Sequence, residues 1–303
     1  MDEVFVRIRP FRPRFQRLSH GALRVWAPGK VNLNLLVGPP GADGYHPIDS
    51  IVAKVTLYDE VDLLPRRDGQ ISFSCEGADC GDEQRNLAVR AARMLAEATG
   101  CEKGADIRLG KHIPPAAGLG GGSSDAAAVL EGLDRLWELS LSAGELATIG
   151  SQLGSDVPLF LAGPSARITG RGEIVRPAEV WPFLAVLYLP PVECSTAKVY
   201  AEFDRYQPPE DEQVDAKLLQ RQPPSRWRAA LVNHLAASAR RVSPTLAELH
   251  ERFASAAGRQ VHMTGSGSGA FVLCDDEAES ADVWTGLDDD IRQDCMLVRL
   301  NDW

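Results

Sequence analysis

Hydrophobic and polar positions change their spacing along the chain, and the change separates predicted strands from predicted helices. Short alternating or continuously apolar runs in the first third predict strands. They lie at 23–26, 31–37, 51–57, 61–64, 71–75 and 106–109. We interpret 61–64 and 71–75 as half-buried antiparallel strands. A polar loop rich in glycine and proline, 38–46, interrupts this series.

Apolar residues three or four positions apart predict the helices. One runs from Asn86 to Thr99 and stops at Gly100, and another follows a glycine-rich loop and ends near Glu138. A third covers 142–153 and opens with a capping box, a serine followed three positions later by glutamate. Beyond them the pattern predicts helices at 226–240 and 244–257, and strands at 183–189, 261–263 and 270–274.

The order of these elements predicts an α+β protein, because strands come first and helices follow. We expect a disordered N-terminal extension at 1–20, an N-terminal lobe at 21–180 and a C-terminal lobe at 181–303. A weaker boundary, an exposed connection, is predicted at 207–222, which is rich in proline and charge. The arginine-rich extension has no apolar signal core, so we interpret it as a tail or start-site extension, with an organelle transit peptide as the alternative.

Composition narrows the classes of function. The chain has 303 residues and a net charge of −10, which disfavours non-specific binding to nucleic acid. No apolar run reaches the roughly 18 residues of a membrane-spanning helix. Six cysteines without a Cys-x-x-Cys pair predict reduced, packed thiols in a cytoplasmic protein.

The most informative segment is Ile113 to Ala128, which reads IPPAAGLGGGSSDAAA. Its glycines allow several backbone N–H groups to point inward, and the helix beginning near Ser123 adds its positive end. Such a loop can hold phosphate groups. It is neither a Walker loop nor a dinucleotide fingerprint. A flexible linker is the alternative, although the leading prolines and the apolar helix that follows disfavour it.

This loop resembles the ATP loop of the GHMP kinases, whose pattern is Pro, three residues, Gly-Leu-Gly and then Ser-Ser. Four further segments resemble the family in order and spacing. They are APGKVNLNLLV at 27–37, ADGYHPIDSI at 42–51, GSDVPLFLAG at 154–163 and TGSGSGAF at 264–271. The resemblance implies a two-lobed GHMP kinase fold, with an N-terminal lobe like ribosomal protein S5 domain 2 and a C-terminal ferredoxin-like α/β sandwich lobe.

The resemblance also implies catalytic and nucleotide-binding residues. Asp156 would orient the acceptor hydroxyl and take its proton, and Lys30 would stabilise the transferring phosphoryl group. ATP is the implied phosphoryl donor, with Mg²⁺ as its metal. The metal ligands are left unassigned, with Ser124 as a candidate. The implied ATP-binding residues are Asn86, Lys111, Pro115, Ala116, Ala117, Gly118, Leu119, Gly120, Gly121, Gly122, Ser123 and Ser124.

For the acceptor, the resemblance implies a small alcohol linked to cytidine diphosphate, gripped by aromatic stacking and hydrogen bonds. The residues carried over are Asn32, Tyr45, His46, Thr196 and Tyr200. The Asp-Gly-Tyr-His element discriminates most among family members. Here Ala116 and Ala117 stand where the family loop usually has glycine, and Arg167 and Arg171 add positive charge near the expected acceptor.

The implied activity is phosphorylation of that alcohol in isoprenoid precursor biosynthesis, by a monomer or homodimer. Three alternatives stay open at this point. They are another small-molecule kinase of the family, of the homoserine or mevalonate type, a non-catalytic ATP-binding protein, and a nucleic-acid-binding module.

Overall fold

The described strands form two β-sheets, which lie on either side of residue 180 in the sequence. The computed structural model describes residues 8–206 and 216–303. Part of the predicted connection at 207–222 therefore lies outside the described residues, and the part within them forms helix at 216–221. We retain the lobe boundary near residue 180 as a proposal.

The first sheet is built around one long strand. Its strands are β1 Phe15–Arg17, β2 Leu23–Asn32, β3 Leu36–Val37, β4 Ile48–Arg66, β5 Ile71–Gly77, β6 Gly104–Lys111, β7 Ser165–Gly170 and β8 Ile174–Pro177. The order is β1-β2-β4-β6-β5, with β3 and β7 also on β4 and β8 on β7. The pairing of β2 with β4 shifts register between Pro28 and Gly29, directly before Lys30. This irregularity helps to set where the lysine lies.

Four helices accompany this sheet. They are α1 Leu87–Thr99, α2 Gly121–Trp137, α3 Ala143–Leu153 and α4 Val157–Leu161. Asn86 caps α1, and Gly100 ends it in the left-handed conformation. The predicted capping box at Ser142 is confirmed. The buried alanines at 126–128 lie in α2 and pack against the sheet, because small side chains allow helix and sheet to approach closely.

The second sheet is a four-stranded antiparallel sheet with apolar side chains on both faces. Its strands are β9 Leu184–Tyr188, β10 His262–Met263, β11 Ala270–Cys274 and β12 Cys295–Arg299, in the order β10-β11-β9-β12. The accompanying helices are α5 Thr196–Arg205, α6 Ala216–Arg221, α7 Ala236–Val242, α8 Pro244–Ala257, α9 Glu277–Gly286 and α10 Asp289–Arg292. Val186 and Val272 face α8 and α9, whereas Leu187 and Leu273 pack towards the first sheet.

Several sequence-based predictions of elements need correction. The strands predicted at 51–57 and 61–64 are one continuous strand, β4. Strand β5 pairs parallel with β6, because α1 lies between them in sequence and returns the chain in the same direction. The helix predicted at 226–240 is shorter: 3-10 turns occupy 224–226 and 228–230, and α7 begins at Ala236.

Part of the predicted disordered extension belongs to the fold. Phe15–Arg17 pair with β2, and Trp303 donates a hydrogen bond of 2.6 Å to the backbone oxygen of Arg12. Arg14 forms an ion pair with Glu131 on α2. These contacts are long-range and give no local signal in the sequence. Residues 1–7 lie outside the described part of the chain.

The cysteine prediction is wrong for one pair. Cys75 and Cys80 form a disulfide, since the chain reverses at Gly77, whose φ is +98°. Cys101, Cys194, Cys274 and Cys295 are not bridged. Burial raises the pKa of Cys274 and Cys295 to about 12, which keeps these thiols protonated. Among the described residues, no helix is both long and apolar enough to cross a membrane.

Candidate active site

The glycine-rich loop forms one wall of a cavity of about 420 Å³. The loop leads into α2, which begins at Gly121, so the positive end of the helix is directed at the cavity. Gly118 and Gly120 have φ of +74° and +68°, a conformation that favours glycine. Ala116 adopts φ of +56°, at a cost of about 1 kcal/mol for an L-residue. The loop geometry is that of an anion-binding cradle.

Most residues predicted to bind the nucleotide line this cavity. They are Asn86, Lys111, Pro115, Ala116, Ala117, Gly118, Leu119, Gly120, Gly121, Gly122 and Ser123. Ser124 differs, because it lies on the buried side of α2 and does not line the cavity. Asn86 donates to the backbone oxygen of Cys80 at 3.1 Å while it caps α1, so its side chain shapes the cavity wall.

A second cavity, of about 390 Å³, lies on the other side of the loop. Three residues, Gly118, Gly120 and Ser123, line both cavities. The second cavity also holds Lys30 and Asp156, the predicted catalytic pair. The two cavities therefore meet at the glycine loop, beside an ammonium and a carboxylate.

Lys30 is buried and firmly positioned. Its Nζ donates to Asn32 Oδ1 at 2.5 Å, and only 5% of the residue is exposed. Burial lowers the pKa of Lys30, and attraction to Asp156 acts in the opposite direction. Asp156 lies between α3 and α4, and its Oδ1 would be 3.3 Å from a Cβ at Gly172. Because Gly172 has no side chain, the carboxylate of Asp156 has room to face the cavity.

Asn32 joins the two lobes at this point. Its backbone N–H donates to Thr264 Oγ1 at 3.0 Å, and Gly265 N–H donates to Asn32 Oδ1 at 3.0 Å. Its amide nitrogen donates to Ser50 Oγ at 2.8 Å. Sequence reasoning predicted Asn32 as an acceptor-binding residue and missed Ser50 and Thr264. Both residues lie in segments that resemble the family, 42–51 and 264–271, but their contacts with Asn32 join distant parts of the chain and could not be assigned from the sequence.

The C-terminal lobe supplies the far wall of the second cavity. Thr196 and Tyr200 project from the first turns of α5, and Gly265 and Ser266 belong to the glycine segment after β10. Thr196 Oγ1 lies 2.7 Å from Ser266 Oγ. Burial raises the pKa of Tyr200, and the negative charge of Asp156 adds to the effect. The tyrosine is therefore a neutral aromatic group near the carboxylate.

The two remaining predicted acceptor residues do not line this cavity. His46 is buried behind Tyr200, with ring centroids 5.3 Å apart, and its Nδ1 donates to the backbone oxygen of Gly38 at 2.8 Å. Tyr45 is 59% exposed, and the guanidinium of Arg171 lies over its ring, 4.2 Å from the ring centroid. Arg171 itself lines the cavity and pairs with Asp43.

Family models match both halves of the chain. Residues 86–164 match the model described as GHMP kinases N terminal domain, and residues 216–291 match GHMP kinases C terminal. A crystal structure of homoserine kinase from Cytophaga hutchinsonii is 17% identical, with a TM-score of 0.66 over 96% of this chain and 98% of that one. At this identity the likeness shows the fold alone. The fold and the family models together define a GHMP kinase.

Two relatives and one solved structure are more similar to this chain than that homoserine kinase is. The 4-diphosphocytidyl-2-C-methyl-D-erythritol kinase of Shouchella clausii is 38% identical over 86% of this chain and 89% of its own. That of Brevibacillus brevis is 36% identical over 92% and 96%. A crystal structure of 4-(cytidine 5'-diphospho)-2C-methyl-D-erythritol kinase has 33% identity and a TM-score of 0.75, covering 92% of this chain and 99% of that one. The chain belongs to the 4-diphosphocytidyl-2-C-methyl-D-erythritol kinase family within the GHMP kinases.

Proposed function

We propose that the chain transfers the γ-phosphoryl group of ATP to the 2-hydroxyl of 4-diphosphocytidyl-2-C-methyl-D-erythritol, in the methylerythritol phosphate route to isoprenoid precursors. One observation carries the proposal: two cavities meet at Gly118, Gly120 and Ser123, with Lys30 and Asp156 beside the junction. Phosphoryl transfer needs a donor and an acceptor in line, and this arrangement provides one cavity for each.

Lys30 and Asp156 have separate tasks in this mechanism. Asp156 accepts a hydrogen bond from the 2-hydroxyl, orients it towards the γ-phosphorus and takes its proton as the new P–O bond forms. The bond between the γ-phosphorus and the β,γ-bridging oxygen breaks in the same step, and ADP leaves. Lys30, held by Asn32, stabilises the negative charge on the transferring phosphoryl oxygens. Because a tertiary hydroxyl is a crowded nucleophile, most of the rate acceleration comes from positioning and charge stabilisation.

The acceptor's cytidine diphosphate end lies towards α5 and the turn after β7. Tyr200 offers the aromatic face for the cytosine, and His46 supports that ring from behind. Tyr45 and Thr196 stand at the edges of the same region. Among the described residues that line the second cavity, Lys30 and Arg171 are the cations, and Arg171 also contacts Asp43 and Tyr45. The guanidinium of Arg171 can form bidentate hydrogen bonds with the diphosphate.

A kinase of this class requires Mg²⁺, and the chain offers hydroxyl oxygens that fit it. The Ser124 Oγ is fully buried and has no hydrogen-bond partner in the described structure, and Ser123 borders both cavities. Hydroxyl and phosphate oxygens are the ligands that Mg²⁺ prefers. Ser123 would hold the metal with the ATP phosphates, and Mg²⁺ would neutralise charge on the leaving group. Ser124, the candidate ligand from the sequence, lies on the buried side of α2 and lines neither cavity. Among the described residues, no three acidic, histidine or cysteine side chains form a metal site.

The test is ADP release with ATP, Mg²⁺ and 4-diphosphocytidyl-2-C-methyl-D-erythritol, run beside homoserine and mevalonate. We expect turnover with the cytidylated acceptor alone. Asp156→Asn keeps the shape but not the basicity of the side chain, so kcat should fall by about 10²-fold or more while ATP-analogue binding persists. Turnover of homoserine or mevalonate without cytidine would instead assign the chain to another kinase of the fold.

A further inference from the structure

A buried charged cluster outside the catalytic pair joins β4, β6 and α2 beside the nucleotide cavity. Its members are Asp59, Lys111 and Asp125. Lys111 Nζ donates to Asp125 Oδ2 at 2.7 Å and to Asp59 Oδ2. Asp59 is fully buried, whereas Lys111 lines the cavity. One ammonium is thus held between two carboxylates, of which Asp59 has no exposure to solvent.

Asp59 also fixes the backbone that leads into the glycine loop. Its Oδ1 accepts the N–H of His112 at 2.5 Å and of Ile113 at 2.7 Å. Two backbone amides and one ammonium therefore donate to this carboxylate. Its two oxygens together accept all three hydrogen bonds.

The ammonium occupies a place that is electrostatically unfavourable by itself. A Cβ on Gly121, the first residue of α2, would lie 2.8 Å from Lys111 Nζ. A cation next to the positive end of a helix is repelled, and burial removes its hydration. Burial lowers the pKa of Lys111, but the charges of Asp125 and Asp59 outweigh it and raise the pKa overall. The carboxylates are what keep the ammonium charged at this point.

We propose that Asp59 is a positioning residue of the nucleotide site, which acts by holding Lys111 and the start of the glycine loop in place for the ATP phosphates. The inference rests on the proposed kinase activity. Asp59 does not line the described nucleotide cavity, so any effect on ATP is transmitted through Lys111 and through the loop backbone.

The direct test is Asp59→Asn. The amide oxygen can still accept the two backbone N–H groups, but the amide nitrogen then faces the Lys111 ammonium, donor against donor. We expect the KM for ATP, and the Kd of a non-hydrolysable ATP analogue measured by calorimetry, to rise about tenfold or more. The KM for the cytidylated acceptor should change less than twofold. Asp62→Asn is the matched control, since Asp62 lies on the same strand and pairs with Arg24 near the surface; its KM for ATP should stay at the wild-type value.

A double-mutant cycle decides whether Asp59 acts through Lys111. If it does, Asp59→Asn added to Lys111→Met raises the Kd of the analogue by much less than Asp59→Asn does alone. Additive effects would overturn the proposal, as would a folded Asp59→Asn enzyme with wild-type affinity for the analogue. If Asp59→Asn does not fold, Asp59→Glu retains the charge but must displace Lys111 in a fully buried space, and the same analogue measurement applies. Analogue binding needs no acceptor, so failure of the proposed substrate assignment would appear separately, in wild-type turnover.

Discussion

Replacing Gly118 by alanine tests whether the two lobes must touch at the glycine loop for catalysis. Gly118 has φ of +74°, and a Cβ at this position would lie 2.4 Å from the backbone oxygen of Thr264 in the C-terminal lobe. A Cβ added at Gly265, the residue after Thr264, would lie 3.2 Å from Gly118 Cα and 3.4 Å from Lys30 Nζ, so this junction is tightly packed. The substitution therefore acts directly on the junction between the two cavities.

Two effects contribute to the magnitude. The left-handed conformation costs an alanine about 1 kcal/mol, which lowers stability slightly. The contact with the Thr264 oxygen must lengthen by about 1 Å to reach an ordinary separation, and backbone rather than a flexible side chain has to move. A displacement of about 1 Å at a reacting centre costs roughly 10²-fold in rate. We expect kcat/KM for the cytidylated acceptor to fall by about that factor.

The control separates backbone strain from displacement of the lobe. Gly258 ends α8 with φ of +59°, and a Cβ there would meet no atom within 4 Å. Gly258→Ala should therefore lose a similar amount of stability in thermal unfolding but keep its kcat/KM. Wild-type kcat/KM in a folded Gly118→Ala enzyme would refute the reasoning, and so would an equal loss of rate in the Gly258 variant.

Two further predictions concern charge. Arg171→Met should raise the KM for the acceptor about tenfold, and should weaken binding of cytidine diphosphate much more than binding of cytidine, because the guanidinium pairs with phosphate. The control Arg176→Met, on the same hairpin, should change neither quantity. Equal losses of affinity for cytidine diphosphate and cytidine in Arg171→Met would contradict the assignment. Burial, aided by the positive charge of Arg14, lowers the pKa of Lys54 from 10.5 to about 7. Between pH 7 and 10.5 the unfolded chain therefore binds one proton more than the folded chain at Lys54, so the free energy of unfolding should rise by up to roughly 1.4 kcal/mol per pH unit above pH 7. Denaturation between about pH 7 and 8.5 should show a smaller rise of this free energy with pH in Lys54→Met than in the wild type. An equal slope in both proteins would contradict the low pKa of Lys54.

Comparison of particular elements shows where sequence reasoning succeeded. The caps at Asn86, Gly100 and Ser142 were predictable because each depends on hydrogen bonds within a few residues. Helix α8 was predicted with its observed bounds for the same reason, since Ser243 and Gly258 flank it. The parallel pairing of β5 was missed because alternation of apolar residues specifies a strand but not its partner.

The residues of the candidate site also fall into those that could be predicted from the sequence and those that could not. The loop from Pro115 to Ser123 could be predicted because it is contiguous, and its glycines encode the backbone conformation directly. The position of Ser124 on the buried side of α2 and that of His46 behind Tyr200 could not, since both depend on what packs against them. Asp59 gave no signal at all: it is one carboxylate in a long strand until folding brings Lys111 to it.

The sequence alone therefore determined the α+β class and, through resemblance, the kinase family, and it predicted the phosphate-binding loop and the catalytic pair. The tertiary structure decided that Lys30 and Asp156 share one cavity, that Asn32 joins the lobes, and that Asp59 and Asp125 enclose the ammonium of Lys111. The physical reason is the range of the interactions. Propensity, capping and glycine conformations act over a few residues and can be read locally, whereas burial, ion pairing and cavity shape arise only when segments far apart in the chain are packed together.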